Sequence, residues 1–344
     1  MNAPVDAGDA RSSADAGIAP AGRQGVLVMA HGTPDDPSGI EEFYTRIRRG
    51  RPPSAEQLAD LVRRYDAIGG TSPLAARTAA QVAGIAAALE AASPGAFVVG
   101  FGAKHTEPFI EDAARALAAT GVRRVVGIVL TPHRASMGSE EYLDRAEAAL
   151  AASVPSPPFV RVPQWYDAEG FAALVAERVR RALGELGPAD RTTVLFTAHS
   201  LPRRVLDAGD PYPDQVMASA ASAAAASALS ALGASWEVAW QSAGRTPEPW
   251  IGPDLLEVLR RLGAEARSAH ARGAVVVCPI GFVADHLEVL YDVDVEARAV
   301  AQAEGLSFAR TASFDDEPRF CALVAGVVLA AAGASGNPAT GRAR

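Results

Sequence analysis

The sequence is poor in cysteine, with only Cys278 and Cys321. Two thiols cannot form a disulfide framework, match no zinc-site spacing, and are too few for an iron–sulfur cluster. No apolar run of about 18 or more residues suggests a membrane span, and the first residues lack the apolar stretch of a signal peptide. We therefore expect no cluster, two core thiols, a cytoplasmic protein, and no stable membrane association.

Positive charge is also scarce. The chain has 32 Lys and Arg against 40 Asp and Glu, for a net charge of -8, and it has no basic stripe. This balance argues against nucleic acid as a partner. The 344 residues are 49% hydrophobic, which is enough for two domains with sizeable cores. Ala, Gly, Pro and Ser dominate residues 1–23 and 334–344, which we expect to be disordered tails.

Short Val- and Ile-rich runs alternate with longer helical patterns along the chain. The predicted strands are 25–30, 97–103, 122–130, 159–164, 192–198, 236–242, 274–280 and 306–310. The predicted helices are 38–48, 55–66, 72–91, 107–120, 138–152, 168–186, 212–232, 252–271 and 283–304. This alternation favours parallel sheets with helices on both faces.

The strands divide into two groups of four. The α/β prediction is two Rossmann-like, doubly wound lobes, each with a four-stranded parallel sheet, and a cleft between the lobes. The lobes are expected at 24–166 and 167–312, with a helix in 313–333 that packs back on the first lobe.

Polar residues follow the predicted strands. In doubly wound folds, ligands bind at the carboxyl ends of the strands. Five of the six histidines, all but His270, lie at or just beyond such ends. This concentration predicts a functional site in the cleft.

The segment GFVADHLEVLYDVDVE (281–296) is apolar but rich in carboxylates. If it is an α-helix, one line of its surface carries the acidic residues spaced three or four apart. These are Asp285, Glu288, Asp292 and Glu296. Such a line costs about 0.2–0.5 kcal/mol per pair unless a cation offsets it. Asp294 falls off the line and is expected to be solvated.

Imidazole and carboxylate ligands together suit iron, cobalt, nickel or zinc. Other chemistries are less well supported. GFGAKH (100–105) lacks the third glycine of a dinucleotide site, and HSLP (199–202) has no nucleophile elbow. A solvated acidic face remains the alternative for Asp292 and Glu296.

Several long motifs, in order, resemble the ferrochelatase family, in the soluble bacterial form that acts on coproporphyrin. The resemblance covers residues 25 to about 320. Its motifs are VMAHGTP, YTRIRRGRP, RRYDAIGGTSPLA, KHTEPFIEDA, VLTPHRASMGSEEY, FTAHSLP, GDPYPDQ, WQSAGRTPEPWIGPD and GFVADHLEVLYDVDVE.

The resemblance implies a catalytic and metal-binding pair, His199 and Glu288. Inserting Fe²⁺ into a porphyrin requires a base for two pyrrole protons, and an imidazole titrates in the right range. Asp292 and Glu296 would continue a path for the metal. Asp285 and His286 would support Glu288 from behind.

The resemblance also implies porphyrin-binding residues. Arg48 and Arg64 match positions that meet propionates, and a guanidinium fork suits a carboxylate. Further matches are Tyr65, Ser72 and Tyr142, with Lys104, His105 and Trp240 as secondary candidates. The alternatives are arginines paired with nearby Glu and a Trp240 packed in the core.

One residue departs from the family pattern. His31 stands where the most similar family members have a tyrosine. Because imidazole ligates haem iron, we predict that His31 approaches the iron of the product from the side opposite His199. The alternative is a purely local hydrogen bond.

The expected function is therefore insertion of Fe²⁺ into coproporphyrin III in haem biosynthesis. Fe²⁺ is a substrate, no prosthetic group is expected, and contact with neighbouring haem-pathway enzymes would be transient. The alternatives are a protoporphyrin IX ferrochelatase, a cobalt or nickel chelatase for sirohydrochlorin-type rings, and a non-enzymatic haem or metal carrier.

Overall fold

The computed structural model describes residues 22–244 and 246–334. The predicted tails lie outside the described residues, except for residues 22, 23 and 334 at their inner ends. The first lobe contains strands β1 (Gln24–Ala30), β2 (Phe97–Ala103), β3 (Val125–Val129) and β4 (Phe159–Val162). Its helices are α1 (Ile40–Ile47), α2 (Ala55–Ala67), α3 (Leu74–Ala92), α4 (Ile110–Ala119) and α5 (Ser139–Ala151).

The second lobe has the same alternation. Its strands are β5 (Arg191–His199), β6 (Ala234–Gln241), β7 (Gly273–Cys278) and β8 (Ser307–Arg310). Its helices are α6 (Phe171–Glu185), α7 (Arg204–Asp207), α8 (Tyr212–Ala226), α9 (Leu255–Ser268), a π-helix (Val289–Ala297) that continues into α10 (Arg298–Ala303), and the final α11 (Pro318–Ala334).

Each lobe is built on a parallel four-stranded sheet of the same topology. The strand orders are β2-β1-β3-β4 and β6-β5-β7-β8. In β1, Val26 and Val28 point into one hydrophobic core while Leu27 and Met29 point into another, because helices cover both faces. The predicted class, two doubly wound α/β lobes, is confirmed.

The final helix ties the lobes together. α11 packs against α3, and one hydrophobic core continues from Val26 in the first sheet through Phe320 to Phe196 in the second. Gly84 of α3 allows the close approach, since a Cβ there would lie 2.6 Å from the Cys321 thiol. This packing agrees with the expected return of the C-terminal helix, while the domain boundaries remain predictions.

The helix predicted at 283–304 is wrong in its first part and in its period. Residues 281–286 form an irregular loop, and helical structure begins at 287. The Arg298 N–H donates to the Val293 carbonyl five residues back, as in a π-helix rather than an α-helix. Asp285 therefore does not share a helical line with Glu288.

Among the described residues, no helix is both long and apolar enough to cross a bilayer.

Candidate active site

His199 is the last residue of β5, at the carboxyl end of the second sheet. Its Nδ1 lies 2.5 Å from the Ser200 carbonyl oxygen, so Nδ1 carries the proton and donates it. Nε2 then points at Glu288, 3.5 Å from its Oε1. The Tyr212 hydroxyl donates to the His199 carbonyl at 3.0 Å and holds the backbone from behind.

Glu288 lies between two imidazoles. Its Oε2 is 3.7 Å from Nε2 of His286, and His286 is fixed in the same way as His199, with Nδ1 donating to the Ala284 carbonyl at 3.0 Å. The Gln241 amide donates to the Glu288 carbonyl at 3.3 Å. The carboxylate is thus held in the first helical residues after the irregular loop, directly before the π-helix.

Opposite charges dominate this pair. Burial lowers the pKa of His199, but the charge and hydrogen bond of Glu288, with the Ser200 carbonyl, outweigh it and raise the pKa to about 9. Burial would raise the pKa of Glu288, yet the two imidazoles hold it well below its ordinary value. Near neutral pH the pair is an imidazolium and a carboxylate.

Asp292 lies one turn further along the π-helix and is buried. It accepts a hydrogen bond from Ser242 and forms an ion pair with Arg64 across the cleft, at 3.4 Å. Burial, followed by the nearby Glu288 charge, raises the pKa of Asp292 to about 6. The charge of Glu296 also acts on Asp292, so the three carboxylates form one continuous acidic strip.

Residues of both lobes surround Glu288. Burial is the largest influence on the pKa of each neighbouring group, and the negative charge of Glu288 also acts on all of them. These groups are His31, Tyr65 and Tyr142 from the first lobe, and His199, Tyr212 and Asp292 from the second. The structure therefore brings Glu288 close to five other predicted site residues and to Tyr212, which was not predicted.

His31 follows β1 on the opposite side of the cleft and is solvent-exposed. Its Nδ1 lies 3.1 Å from the Gly32 carbonyl oxygen, so Nε2 is the free atom. Although the residue is exposed as a whole, its ring lies against Phe43 and His105, and this partial loss of water lowers its pKa, so the ring is neutral at pH 7. The His105 ring lies 4.7 Å away, and burial and His31 lower its pKa to about 3. Both imidazoles are in the state that can bind a metal.

The remaining predicted porphyrin contacts are less accessible. Tyr65, Tyr142 and Ser72 are each less than 9% exposed, so a porphyrin would meet only an edge of their side chains. Trp240, a secondary candidate for porphyrin contact, packs in the core against Tyr212 with 5% exposed, which agrees with the alternative of core packing.

The cationic candidates differ in their contacts. The Lys104 ammonium pairs with Glu141 at 2.8 Å and lies over the Tyr142 ring. Arg48 lies over the Tyr44 ring and donates to the Arg51 carbonyl. Arg48 thus contacts an aromatic ring and a carbonyl, whereas Arg64 pairs with the carboxylates of Asp60 and Asp292.

No three His, Cys, Asp or Glu side chains among the described residues are arranged as ligands of one metal ion. The predicted metal-binding residues Glu288, Asp292 and Glu296 lie in sequence along the helical segment that starts at 287.

Two sequence-based assignments need correction. Asp285 faces away from the Glu288 pair, toward Arg310 at 3.1 Å and Ser313 at 2.6 Å. Asp294 is not simply solvated, because it forms ion pairs with Arg310 at 2.9 Å and Arg298 at 3.3 Å. Sequence reasoning missed Arg310, whose only signal is its position at the end of a predicted strand.

The class of protein follows from the fold. SirB from Bacillus subtilis, solved with Fe³⁺, matches 91% of this chain and 97% of its own with a TM-score of 0.55 at 12% identity. The sirohydrochlorin chelatase SirB of B. subtilis subspecies spizizenii, solved with cobalt, matches with a TM-score of 0.50. The chain has the chelatase fold.

The sequence then defines the family. The Ferrochelatase family profile matches residues 23–332, and the chain belongs to this family. The coproporphyrin III ferrochelatase of Geobacillus kaustophilus is 42% identical over 310 residues, covering 89% of this chain and 95% of the relative. The protein named Ferrochelatase from Herpetosiphon aurantiacus is 38% identical over 88% of this chain and 97% of its own.

Proposed function

We propose that this protein inserts Fe²⁺ into coproporphyrin III and so forms its iron complex. The observation that carries the proposal is the pair of His199 Nε2 and Glu288 Oε1, 3.5 Å apart in the cleft between the lobes. Family membership supports the reaction, and relatives that bear the name coproporphyrin III ferrochelatase support this porphyrin.

The charge state of the pair suggests how protons leave the porphyrin. Fe²⁺ arriving at Glu288 would compete with the His199 imidazolium for the same carboxylate. Since a nearby cation lowers the pKa of an imidazole, His199 would release its Nε2 proton to solvent, to which 34% of its side chain is exposed, and become a neutral base beside the ring. The neutral imidazole then accepts the two pyrrole protons one after the other and passes each to solvent, while Glu288 holds the ion.

The acidic strip supplies the ion's route. Asp292 and Glu296 continue from Glu288 along the π-helix, and Ser242 fixes one oxygen of Asp292. Carboxylate oxygens can replace water around a divalent cation one at a time. We assign these two residues to the metal path, with a solvated face as the alternative for Glu296.

The basic residues of the cleft suit an acidic porphyrin. Arg48, Arg64 and Lys104 would meet the propionates, and Tyr65, Ser72 and Tyr142 would contact the ring at their edges. A tetracarboxylate ring gains more from these cations than a dicarboxylate ring does. This charge match supports coproporphyrin III over protoporphyrin IX.

His31 is proposed as an axial ligand of the product iron. It is exposed to the cleft, its Nε2 is free, and it is neutral at pH 7. A change in the visible absorption and resonance Raman spectra of the iron–coproporphyrin complex in His31→Ala would support ligation. Unchanged spectra would reject it.

The cytoplasmic location, transient enzyme contacts and lack of an iron–sulfur cluster stay predictions.

Steady-state kinetics tests the proposed function. Under anaerobic conditions, kcat/KM for Fe²⁺ insertion should be higher with coproporphyrin III than with protoporphyrin IX. A higher value for protoporphyrin IX would reject the porphyrin assignment. Sirohydrochlorin with Co²⁺ or Ni²⁺ serves as the third substrate pair, and preference for it would reject the iron reaction.

A further inference from the structure

Arg310, the last residue of β8, carries a guanidinium that is only 13% exposed. Its Nε lies 2.9 Å from both carboxylate oxygens of Asp294, and its Nη2 lies 2.9 Å from Oδ2 of the same residue. Its Nη1 donates to Asp285 and to the Thr311 carbonyl, each at 3.1 Å. One guanidinium thus joins two carboxylates that are nine positions apart in the sequence.

The two carboxylates bracket the reactive segment. Asp285 lies in the loop before Glu288, and Asp294 lies in the π-helix beyond Asp292. Asp285 is also held by the Ser313 hydroxyl at 2.6 Å, and its backbone N–H donates to Asp315 at 3.0 Å. Both ends of the segment are therefore fixed to β8 and to the residues that follow it.

This attachment is needed because the segment has little regular structure of its own. An irregular loop leads directly into a π-helix, which is rare and is found mostly as a local distortion. Regular α-helical hydrogen bonding therefore does not set where Glu288 and Asp292 point. The buried guanidinium supplies the constraint from outside the segment.

A guanidinium suits this task better than an ammonium. Its planar fork can donate to two carboxylates in fixed directions, whereas the Lys ammonium is a compact charge on a flexible stem. Removing the cation would also leave the partly buried Asp285 carboxylate without a cation and Asp294 with only its longer pair to the more exposed Arg298.

We propose that Arg310 is a positioning residue for metal insertion. By holding Asp285 and Asp294 together, it fixes the segment that presents Glu288 to His199 and Asp292 to the cleft. Arg310 acts through these carboxylates and does not itself reach substrate. The inference rests on the proposed function, because it assigns Arg310 to the same site.

The test separates turnover from porphyrin binding. Arg310→Lys and Arg310→Met should lower kcat by about 10- to 100-fold, as loss of outer residues does at other metal sites. The Kd for coproporphyrin III, measured by tryptophan fluorescence quenching, should stay within about twofold of wild type, because the proposed propionate anchors are on the first lobe. A purely structural role would instead lower the folded fraction and leave kcat per folded molecule unchanged.

Arg298→Met is the matched control. Arg298 also pairs with Asp294, but at 3.3 Å with 41% of its side chain exposed, and it lies over the Phe308 ring instead of joining Asp294 to Asp285. Because exposed pairs contribute little, kcat should change by less than about twofold. An equal loss of kcat in Arg298→Met and Arg310→Met would overturn the proposal.

A triple variant guards against misfolding. Asp285→Asn, Arg310→Met and Asp294→Asn together remove the unpaired charges, so thermal stability should recover while kcat remains low. The positioning role would be overturned if kcat were at the wild-type level in the triple variant, in folded Arg310→Met or in Arg310→Lys. If wild-type protein itself does not metallate porphyrin, the proposed function fails instead, so the two failures are distinguishable.

Discussion

Replacing Glu288 with Gln should lower the pKa of His199. In the structure burial lowers this pKa, and Glu288 with the Ser200 carbonyl overcomes burial to bring it to about 9 instead of 6.5. Glutamine keeps the shape of the side chain but removes its charge. Burial then acts on the imidazole with far less opposition.

The size of the change follows from the separation. At 3.5 Å, Coulomb's law gives about 1 kcal/mol in a water-like dielectric and about 5 kcal/mol at an effective dielectric constant of about 20. The side chains are 34% and 36% exposed, so solvent screening favours the lower part of this range, about 1–3 kcal/mol. Since about 1.4 kcal/mol corresponds to one pH unit, the pKa of His199 should fall to about 8 or below.

An NMR titration measures this directly. Protein labelled at histidine Cε1 gives six signals, and His199→Gln assigns the relevant one. Glu296→Gln is the control, since it removes a carboxylate from the same π-helix without touching His199. A His199 pKa that stays at about 9 in Glu288→Gln would refute the charge-pair account.

The same pair has a consequence for stability. The folded-state pKa of His199 lies above its ordinary 6.5, so its contribution is fully present below pH 6.5 and is lost as the pH rises to about 9. Urea unfolding of wild type should show this decrease, and Glu288→Gln should show a smaller one that ends at a lower pH, because the pKa of His199 is then closer to 6.5. An equal decrease in both proteins would assign the effect to other groups.

Three further predictions concern other parts of the structure. Burial lowers the pKa of His133 to about 3, so between pH 6.5 and pH 3 the unfolded state binds a proton at this residue and the folded state does not. The free energy of unfolding should therefore be about 2 kcal/mol lower at pH 5 than at neutral pH. The decrease should be smaller in His133→Asn. Gly84→Ala should cost about 1–3 kcal/mol by pushing α3 from α11, as a melting curve would show, whereas Gly326→Ala, which meets open space, should not destabilise. Arg64→Met should lower the Kd for Mn²⁺ about fivefold in calorimetry, because the guanidinium no longer competes for Asp292 in the acidic strip. Arg63→Met should leave this Kd unchanged.

Each of the three has a contradicting result. An equal acid sensitivity in His133→Asn would show that other groups dominate. Equal melting temperatures for the two glycine variants would show that the helices separate at no cost. Equal Mn²⁺ affinity in wild type and Arg64→Met would show that the arginine does not block the strip.

The positions of the strands could be predicted from the sequence because helices cover both faces of each sheet. A parallel strand covered by helices on both faces reads as a continuous apolar run, and β2 begins and ends where the sequence predicts. Helix ends were less certain, as with the predicted helix 212–232, which ends as α8 at Ala226. Its Ala-rich composition marks no clear end.

The π-helix was not predictable from local sequence. The pattern around Glu288 fits a 3.6-residue period and gives no sign of the hydrogen bond from Arg298 to the Val293 carbonyl five residues back, nor of the pairing of Asp285 and Asp294 with Arg310 on another strand. Similarly, residue type and spacing predicted a metal-binding cleft, but only the family resemblance paired His199 with Glu288. Trp240 shows the limit of such reasoning, since an aromatic residue beside a loop suits a porphyrin contact and a core position equally well.

The most direct test of the account is the stoichiometry of metallation. Wild-type protein, incubated anaerobically with excess Fe²⁺ and coproporphyrin III, should form many equivalents of iron–coproporphyrin per chain. His199→Ala and Glu288→Ala should each bind the porphyrin but lose most of this turnover. Metallation that stops at one equivalent in wild type, or full turnover in both variants, would contradict the claim that this pair catalyses metal insertion.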